Sequence, residues 1–540
     1  MTHRIIVLDD LSADGLERLD ASNDVNYDVV TGLKGDALQQ KLLEYDGAIC
    51  RSGVKITAES LVGNRRLKAI VRAGVGTDNI DKAAATRQGI VVMNTPSGNT
   101  VSTAEHTMAL LLGLARNVAP AHASLQSGKW DRKQFSGIEL RGKTLGIVGL
   151  GRIGQAVARK ANAFEMSIVG FDPFLSRELA DELNVKLYAD VNEMLTVVDF
   201  LTVHTPLTPE TKGLVNAERL KTMKHGVRLV NCARGGIYDE SALVEGLKSG
   251  AIGGVALDVY DEEPCTDSPL FQMPNTLCTP HLGASTEEAQ RLVALEAVEL
   301  LVNFLTTGEV RHAVNAAAID SKSLHRMKSS IELAYRLGRL SLGLHGGAIS
   351  RCELQFDGDM SHGDTKLLSS AFCVGLLEPV IEDVNLINAD MLLRERGIEL
   401  SCTTSTSQNT FHGMLTANVS GDGHSARVGG TIIGQNLLRL VRVERFYLDA
   451  YIDGTLLFFR HADVPGIIGH VGDVLAKHSV NIGQMSVGRL NENRGGEAIG
   501  VLNLDSPPSP DAISEILTHP NVSEVKVVDL PERHWTPDFF

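Results

Sequence analysis

The sequence predicts an α/β protein: two doubly wound parallel-sheet domains, then an α+β module, then a small ferredoxin-like βαββαβ domain. Three observations carry the prediction. Short apolar strands alternate with helical segments over residues 4–95 and again over 144–281. A glycine turn joins the first strand and helix of the second run. Past Leu456 the order becomes strand, helix, strand, strand, helix, strand.

In the first run, strands are expected at Ile5 to Leu8, Gly47 to Cys50, Leu67 to Val71 and Ile90 to Met93. A helix from about Ser102 to Arg116 carries the chain into the second run, and a helical pair near Thr286 to Thr307 is expected to pack back on the first domain. The second run opens with Thr144-Leu-Gly-Ile-Val-Gly149-Leu-Gly151-Arg-Ile-Gly154 and closes its second strand on Asp172, 18 residues beyond Gly154. Gly149 permits the tight turn, Gly151 lets a pyrophosphate approach the backbone, and Gly154 lets the helix pack on the sheet. The helix N-terminus faces the phosphates, and Asp172 accepts from ribose hydroxyls while repelling a 2'-phosphate, which selects NAD over NADP.

Later strands lead to Thr205, Arg234, Asp258 and His281, each near turn-forming residues. In open α/β sheets ligands bind beyond the carboxyl ends of the strands, so these four are expected to converge on one crevice. Hydride transfer between a nicotinamide and a 2-hydroxy acid needs a group for the carboxylate and carbonyl, and another for the proton. Arg234 offers a planar fork of donors, and His281 can take or give the proton. Glu263, 18 residues before His281, would stabilise the imidazolium and orient the ring. In the first domain Arg51 and Arg72 close strands, and the amides of Gly74 and Val75 form a small anion cradle. That set suits a second anionic group on the substrate, most naturally a phosphate.

Bulk properties narrow the classes further. At 540 residues the chain exceeds one core and should divide into three or four domains. A net charge of -15, from 51 Lys and Arg against 66 Asp and Glu, argues against nucleic acid or an anionic membrane as partner. Seven scattered cysteines without a CxxC pair suggest neither disulfides nor a metal site, and fit a reducing cytoplasm. The longest apolar run, Met108 to Ala115, is too short to span a bilayer, and the first residues run directly into a strand, so a soluble cytoplasmic protein is expected.

The strings Asn231-Cys-Ala-Arg-Gly-Gly236, Asp258-Val-Tyr-Asp-Glu-Glu-Pro264 and Thr279-Pro-His-Leu-Gly-Ala-Ser285 closely resemble the D-isomer-specific 2-hydroxyacid dehydrogenase family, over residues 1 to about 315. Asp463-Val-Pro-Gly-Ile-Ile-Gly469 with Val480-Asn-Ile-Gly-Gln-Met-Ser-Val-Gly-Arg489 resembles an ACT domain. The combination is similar to the long members of the family. It implies a substrate-binding domain at 1–98 completed by 287–318, a Rossmann NAD-binding domain at 99–286, an intervening allosteric substrate-binding domain at 319–450, an ACT regulatory domain at 451–530 and a tail at 531–540. It also implies oxidation of 3-phospho-D-glycerate to 3-phosphohydroxypyruvate with NAD, the opening of serine synthesis, with serine as feedback effector on a homotetramer or homodimer.

By the same resemblance Arg152, Ile153 and Asp172 fall on contacts to NAD, as do Thr77, Thr205, Cys232, Ala233, Asp258, Gly283 and Ala284. Asp258 would bond the nicotinamide carboxamide, and Asp463 and Asn481 match effector-holding positions. Two alternatives stay open: a dehydrogenase of another small 2-hydroxy acid, and an NAD-sensing regulator without turnover.

Overall fold

The computed structural model describes every residue except 1, 317–320, 407–410, 435, 491–494 and 533–540, and no side chains at 321–325. The expected tail therefore lies outside the described residues beyond Glu532. Four sheets follow one another along the chain.

The first holds β1 His3–Val7, β2 Val25–Val29, β3 Gly47–Cys50, β4 Ala69–Arg72 and β5 Val91–Asn94, all parallel, in the order β2-β1-β3-β4-β5. β3 is buried throughout, as a strand covered by helices on both faces must be. β2 is not expected from its sequence. Val-Asn-Tyr-Asp-Val buries only Val25, because an edge strand needs backbone pairing with β1 more than an apolar face. The helix Thr100–Ala115 then crosses to the second sheet.

That sheet holds β6 Thr144–Val148, β7 Ser167–Phe171, β8 Val185–Leu187, β9 Phe200–Val203, β10 Val227–Asn231, β11 Ile252–Leu257 and β12 Thr276–Cys278, again parallel, in the order β12-β11-β10-β9-β6-β7-β8. The direction of winding reverses between β6 and β9, which opens a crevice at their carboxyl ends. Thr205, Arg234, Asp258 and His281 all lie within three residues of a strand end on that side.

The segment expected as a helical pair is one helix, Glu287–Thr307. It contains no Gly or Pro to break it, Thr286 caps its start by accepting from Ala289 N, and Gly308 ends it at φ 72°. Its residues Ala297, Val298, Leu301 and Phe304 share a core with Ile5, Val7, Ile49 and Val71, so it does pack back on the first sheet.

The third sheet is mixed, in the order β14-β13-β15-β16-β17-β18, built from β13 Arg351–Gly358, β14 Glu399–Ser405, β15 Gly413–Gly421, β16 His424–Ile433, β17 Leu437–Val443 and β18 Phe446–Tyr451. The helices Ser321–His345 and Thr365–Leu377 belong to the same module, and the core built on the helix residues Leu333, Leu337 and Phe372 includes Phe356, Leu415 and Val428 from the sheet. The last sheet runs β20-β21-β19-β22, from β19 Thr455–Ala462, β20 Ile482–Arg489, β21 Glu497–Leu504 and β22 Val522–Asp529, with helices Ile467–Lys477 and Pro510–Ile516: the ferredoxin-like order. These two modules are not beads on a string. Edge strand β18 meets edge strand β20, with Tyr451 N donating to Gln484 Oε1 at 3.0 Å and Asp449 N to Ser486 Oγ at 3.1 Å. The third module also grips the first sheet's domain, through ion pairs Arg65–Glu382 at 2.7 Å and Arg87–Glu395 at 2.9 Å. No described helix is long and apolar enough to cross a membrane, and no described cluster of His, Cys, Asp and Glu could hold a metal ion.

Candidate active site

The glycine turn after β6 is shaped by close approach. Gly149 sits at φ 87°, and a Cβ there would lie 2.7 Å from the His204 carbonyl. A Cβ on Gly154 would lie 2.1 Å from the Gly149 carbonyl, so helix Arg152–Ala163 packs on the turn only because that side chain is missing. Gly151 faces open space, which leaves its backbone approachable. Beside the turn, Thr205 Oγ1 is buried without a partner. Asp172 is aimed by two amides, Leu150 N at 2.7 Å and Phe174 N at 2.8 Å, and its remaining lone pairs can accept from ribose hydroxyls. An open glycine, an orphan hydroxyl, a helix N-terminus carrying Arg152 and Ile153, and an oriented carboxylate together fit a dinucleotide. Burial drives His204 down to about 3 and the Cys232 thiol up to about 12, so both are neutral linings.

Across the crevice, His281 Nδ1 and Glu263 Oε2 are 2.6 Å apart, while Glu263 Oε1 accepts from Tyr260 N at 3.1 Å. Burial works to raise the Glu263 carboxyl, but the His281 hydrogen bond, with the charges of His281 and Arg234, holds it below the ordinary range. It is therefore ionised at neutral pH, and it fixes the ring with Nδ1 engaged and Nε2 left over. His281 itself has φ 55°, a left-handed conformation that costs a non-glycine residue about 1–2 kcal/mol.

Arg234 donates from Nε to Asp78 Oδ2 at 2.8 Å and from Nη1 to the Ala233 carbonyl at 2.6 Å. Nη2 points toward Gly76: a Cβ there would lie 1.6 Å from it. Arg72 is similarly accommodated by Gly74, φ 148°, where a Cβ would lie 1.9 Å from Nη1. Arg72 Nε is buried without a partner, and burial, followed by the like charges of Arg234 and Arg51, lowers its basicity. The amides of Gly74 and Val75 donate to no backbone carbonyl among the described residues. Arg51 donates from Nη1 to the Asp10 carbonyl at 3.0 Å and lines an open cavity of about 730 Å³ with Asp14, Ser285, Thr286, Glu287 and Gln290. Arg72 thus stands close enough to Arg51 in its own domain and to Arg234 in the second for both like charges to act on it.

The remaining expected residues divide. Thr77 is nearly buried and faces Lys82 Nζ at 3.4 Å; Ala233 lies between Cys232 and Arg234, and Gly283 and Ala284 continue the turn after His281. Asp258 is engaged from the protein side. It is fully enclosed, and its oxygens already accept from Thr279 Oγ1 at 2.6 Å, Leu282 N at 2.7 Å and Gly283 N at 2.8 Å, with His106 Nε2 at 3.1 Å. Three of these contacts fall on Oδ1 and only Gly283 N on Oδ2, so Oδ2 keeps a lone pair while Asp258 organises the His281 turn from behind.

Asp463 pairs with Arg489 at 3.0 Å and Asn481 Nδ2 donates to Asp505 at 2.7 Å. They flank opposite ends of helix Ile467–Lys477, whose 11 residues span about 16 Å, farther than one amino acid reaches. The sequence does not single out Asp78 or His106. Asp78 stands inside the quoted glycine loop, so an acid beside an anion cradle is the available signal; His106 offers none.

Two parallel-sheet domains closing an Arg, a Glu-held His and a dinucleotide turn around one crevice define a nicotinamide-dependent 2-hydroxyacid dehydrogenase. The family model for the D-isomer specific 2-hydroxyacid dehydrogenase NAD binding domain matches residues 108–283, and that for the D-3-phosphoglycerate dehydrogenase intervening domain matches 326–444. D-3-phosphoglycerate dehydrogenases of Methanocaldococcus jannaschii and Bacillus subtilis are each 40% identical, over 98% of this chain and 100% of theirs. Among solved structures, the TT0316 protein of Thermus thermophilus (38% identical, TM-score 0.53) covers 58% of this chain and 99% of its own. The D-lactate dehydrogenase of Aquifex aeolicus, complexed with NAD and lactic acid (26%, TM-score 0.51), covers 58% and 100%. The chain belongs to the D-3-phosphoglycerate dehydrogenases, within the D-isomer-specific 2-hydroxyacid dehydrogenase family.

Proposed function

We propose that the protein oxidises 3-phospho-D-glycerate to 3-phosphohydroxypyruvate with NAD, the first step toward serine. The observation that carries the substrate is the convergence of Arg51, Arg72 and Arg234: a monoanionic hydroxy acid satisfies one fork and leaves the other two repelling each other. Arg234 takes the carboxylate with the donors not held by Asp78 and Ala233. Arg72, Arg51 and the amides of Gly74 and Val75 take the phosphate. His281 Nε2 removes the hydroxyl proton, and ionised Glu263 stabilises the imidazolium that results. NAD, when bound, would supply the hydride acceptor. Gly149, Gly151, Arg152, Ile153, Gly154, Asp172, Thr205, Cys232, Ala233, Gly283, Ala284 and Thr77 are the residues that would hold it, and Asp172 sets the preference over NADP.

Arg72→Ala is expected to raise the KM for 3-phosphoglycerate on the order of 10²-fold, the value of one or two charge-assisted hydrogen bonds, while an unphosphorylated analogue changes little. Initial rates of NADH formation over both substrates check this; equal effects on both would mean that Arg72 holds no phosphate. Glu263→Gln removes the carboxylate that engages His281 Nδ1, so kcat for oxidation should fall about 10- to 10²-fold with NAD affinity kept, and an unchanged kcat would mean that the pair does not serve the proton transfer.

We further infer a homo-oligomer with serine as effector, working in the cytoplasm. Helix Val118–Gln126 buries none of its residues, and Val118, Leu125 and the nearby Trp130, 77% exposed, form an apolar strip suited to a second copy. The distance between Asp463 and Asn481 likewise suits an amino acid held between two ACT modules, one residue from each. A substrate panel with NAD and NADP, with and without serine, and the solution mass test the whole reading.

A further inference from the structure

The turn carrying His281 is held from a direction that the chemistry of the crevice does not explain. Thr279 Oγ1 donates to Asp258 Oδ1 at 2.6 Å, and His106 Nε2 lies 3.1 Å from both atoms. The carboxylate only accepts and the threonine proton is already committed to it, so Nε2 carries the imidazole proton and donates. Leu282 N and Gly283 N complete the knot on Asp258 at 2.7 and 2.8 Å, and Thr103 Oγ1 donates to the Gly283 carbonyl at 3.1 Å. Thr103 and His106, one turn apart, both belong to helix Thr100–Ala115, the link between the two catalytic domains. The residue enclosed by these contacts, His281, is in a left-handed conformation that its own side chain does not favour.

We propose that His106, supported by Thr103, is a positioning residue for the proton-transfer group: from the helix linking the domains it locks Asp258, and through Asp258 it holds the turn that presents His281 to Glu263 and substrate. The inference rests on the dehydrogenase reading above. A group misplaced by about 1 Å loses on the order of 10²-fold in rate, so that is the expected fall in kcat for His106→Ala, with the KM values for NAD and phosphoglycerate nearly unchanged. His106→Gln, whose Nε2 can donate to the same oxygen, should recover most of the loss. An unchanged kcat in the alanine variant, a defect confined to KM for NAD, or a glutamine variant as poor as alanine would each overturn the proposal. A crystal structure of His106→Ala decides it independently of turnover: the turn 279–283 should relax and the His281–Glu263 contact open, and an unaltered turn refutes it. Wild-type protein forming no NADH from any 2-hydroxy acid would defeat the functional reading instead, and the structural comparison would still stand.

Discussion

His281→Asn is expected to cut turnover by about 10²- to 10⁴-fold, the contribution of a positioned general base, while leaving NAD affinity within a few-fold. Asparagine is the more telling replacement than alanine because it tolerates the left-handed backbone that His281 adopts at φ 55°, so the turn survives while the proton acceptor is lost. The glycine turn and Asp172, which would hold the pyrophosphate and ribose, make no contact with the imidazole, and asparagine keeps the turn that carries Gly283 and Ala284. NADH absorbance at saturating substrate measures the rate, and a fluorescence titration measures NAD binding. Retention of more than about a tenth of wild-type turnover would place the base elsewhere; Glu263, already bound to the ring and to Tyr260 N, would be the nearest candidate.

The parts of this site that can be read in the sequence are those whose chemistry is local. The glycine turn, Asp172 and the three strings around Arg234, Glu263 and His281 each combine residue type with a short spacing, and the strands before them are apolar enough to be seen. What escapes depends on contacts over long separations or on edges. β2 has almost no apolar face because it lies at the rim of its sheet, where backbone pairing suffices. The helix Glu287–Thr307 reads as two because polar residues interrupt its pattern, yet nothing in it breaks a helix, and one face is committed to the first domain. Asp78 meets Arg234 across 156 residues and His106 meets Asp258 across 152. Asp258 shows the same limit from the other side. Its sequence position places it beside the crevice, but whether a carboxylate faces a ligand or the protein interior is decided by which amides and side chains fold around it.

The second large effect is expected at a residue with no side chain. Arg234→Ala should lower kcat/KM by roughly 10²- to 10⁴-fold, since a carboxylate held by two charge-assisted hydrogen bonds loses about 1.5–3 kcal/mol for each. Gly76→Ala should reproduce much of that defect with Arg234 still present. A methyl group at position 76 would stand 1.6 Å from Nη2 and 3.0 Å from Asp78 Oδ2, and Gly76 is not among the positive-φ glycines, so the backbone itself accepts alanine. The guanidinium is the part free to yield, because it is the far end of a flexible side chain. Its displacement turns the fork away from the crevice while Asp78 and the Ala233 carbonyl still claim Nε and Nη1. The loss should therefore appear in substrate KM and kcat together, with NAD binding retained. Arg234→Lys should rescue little, since an ammonium cannot serve Asp78 and a carboxylate in the same plane. A Gly76→Ala enzyme with a near-normal substrate KM would show that the guanidinium works from another position, and the carboxylate would then have to be assigned to Arg72 or Arg51.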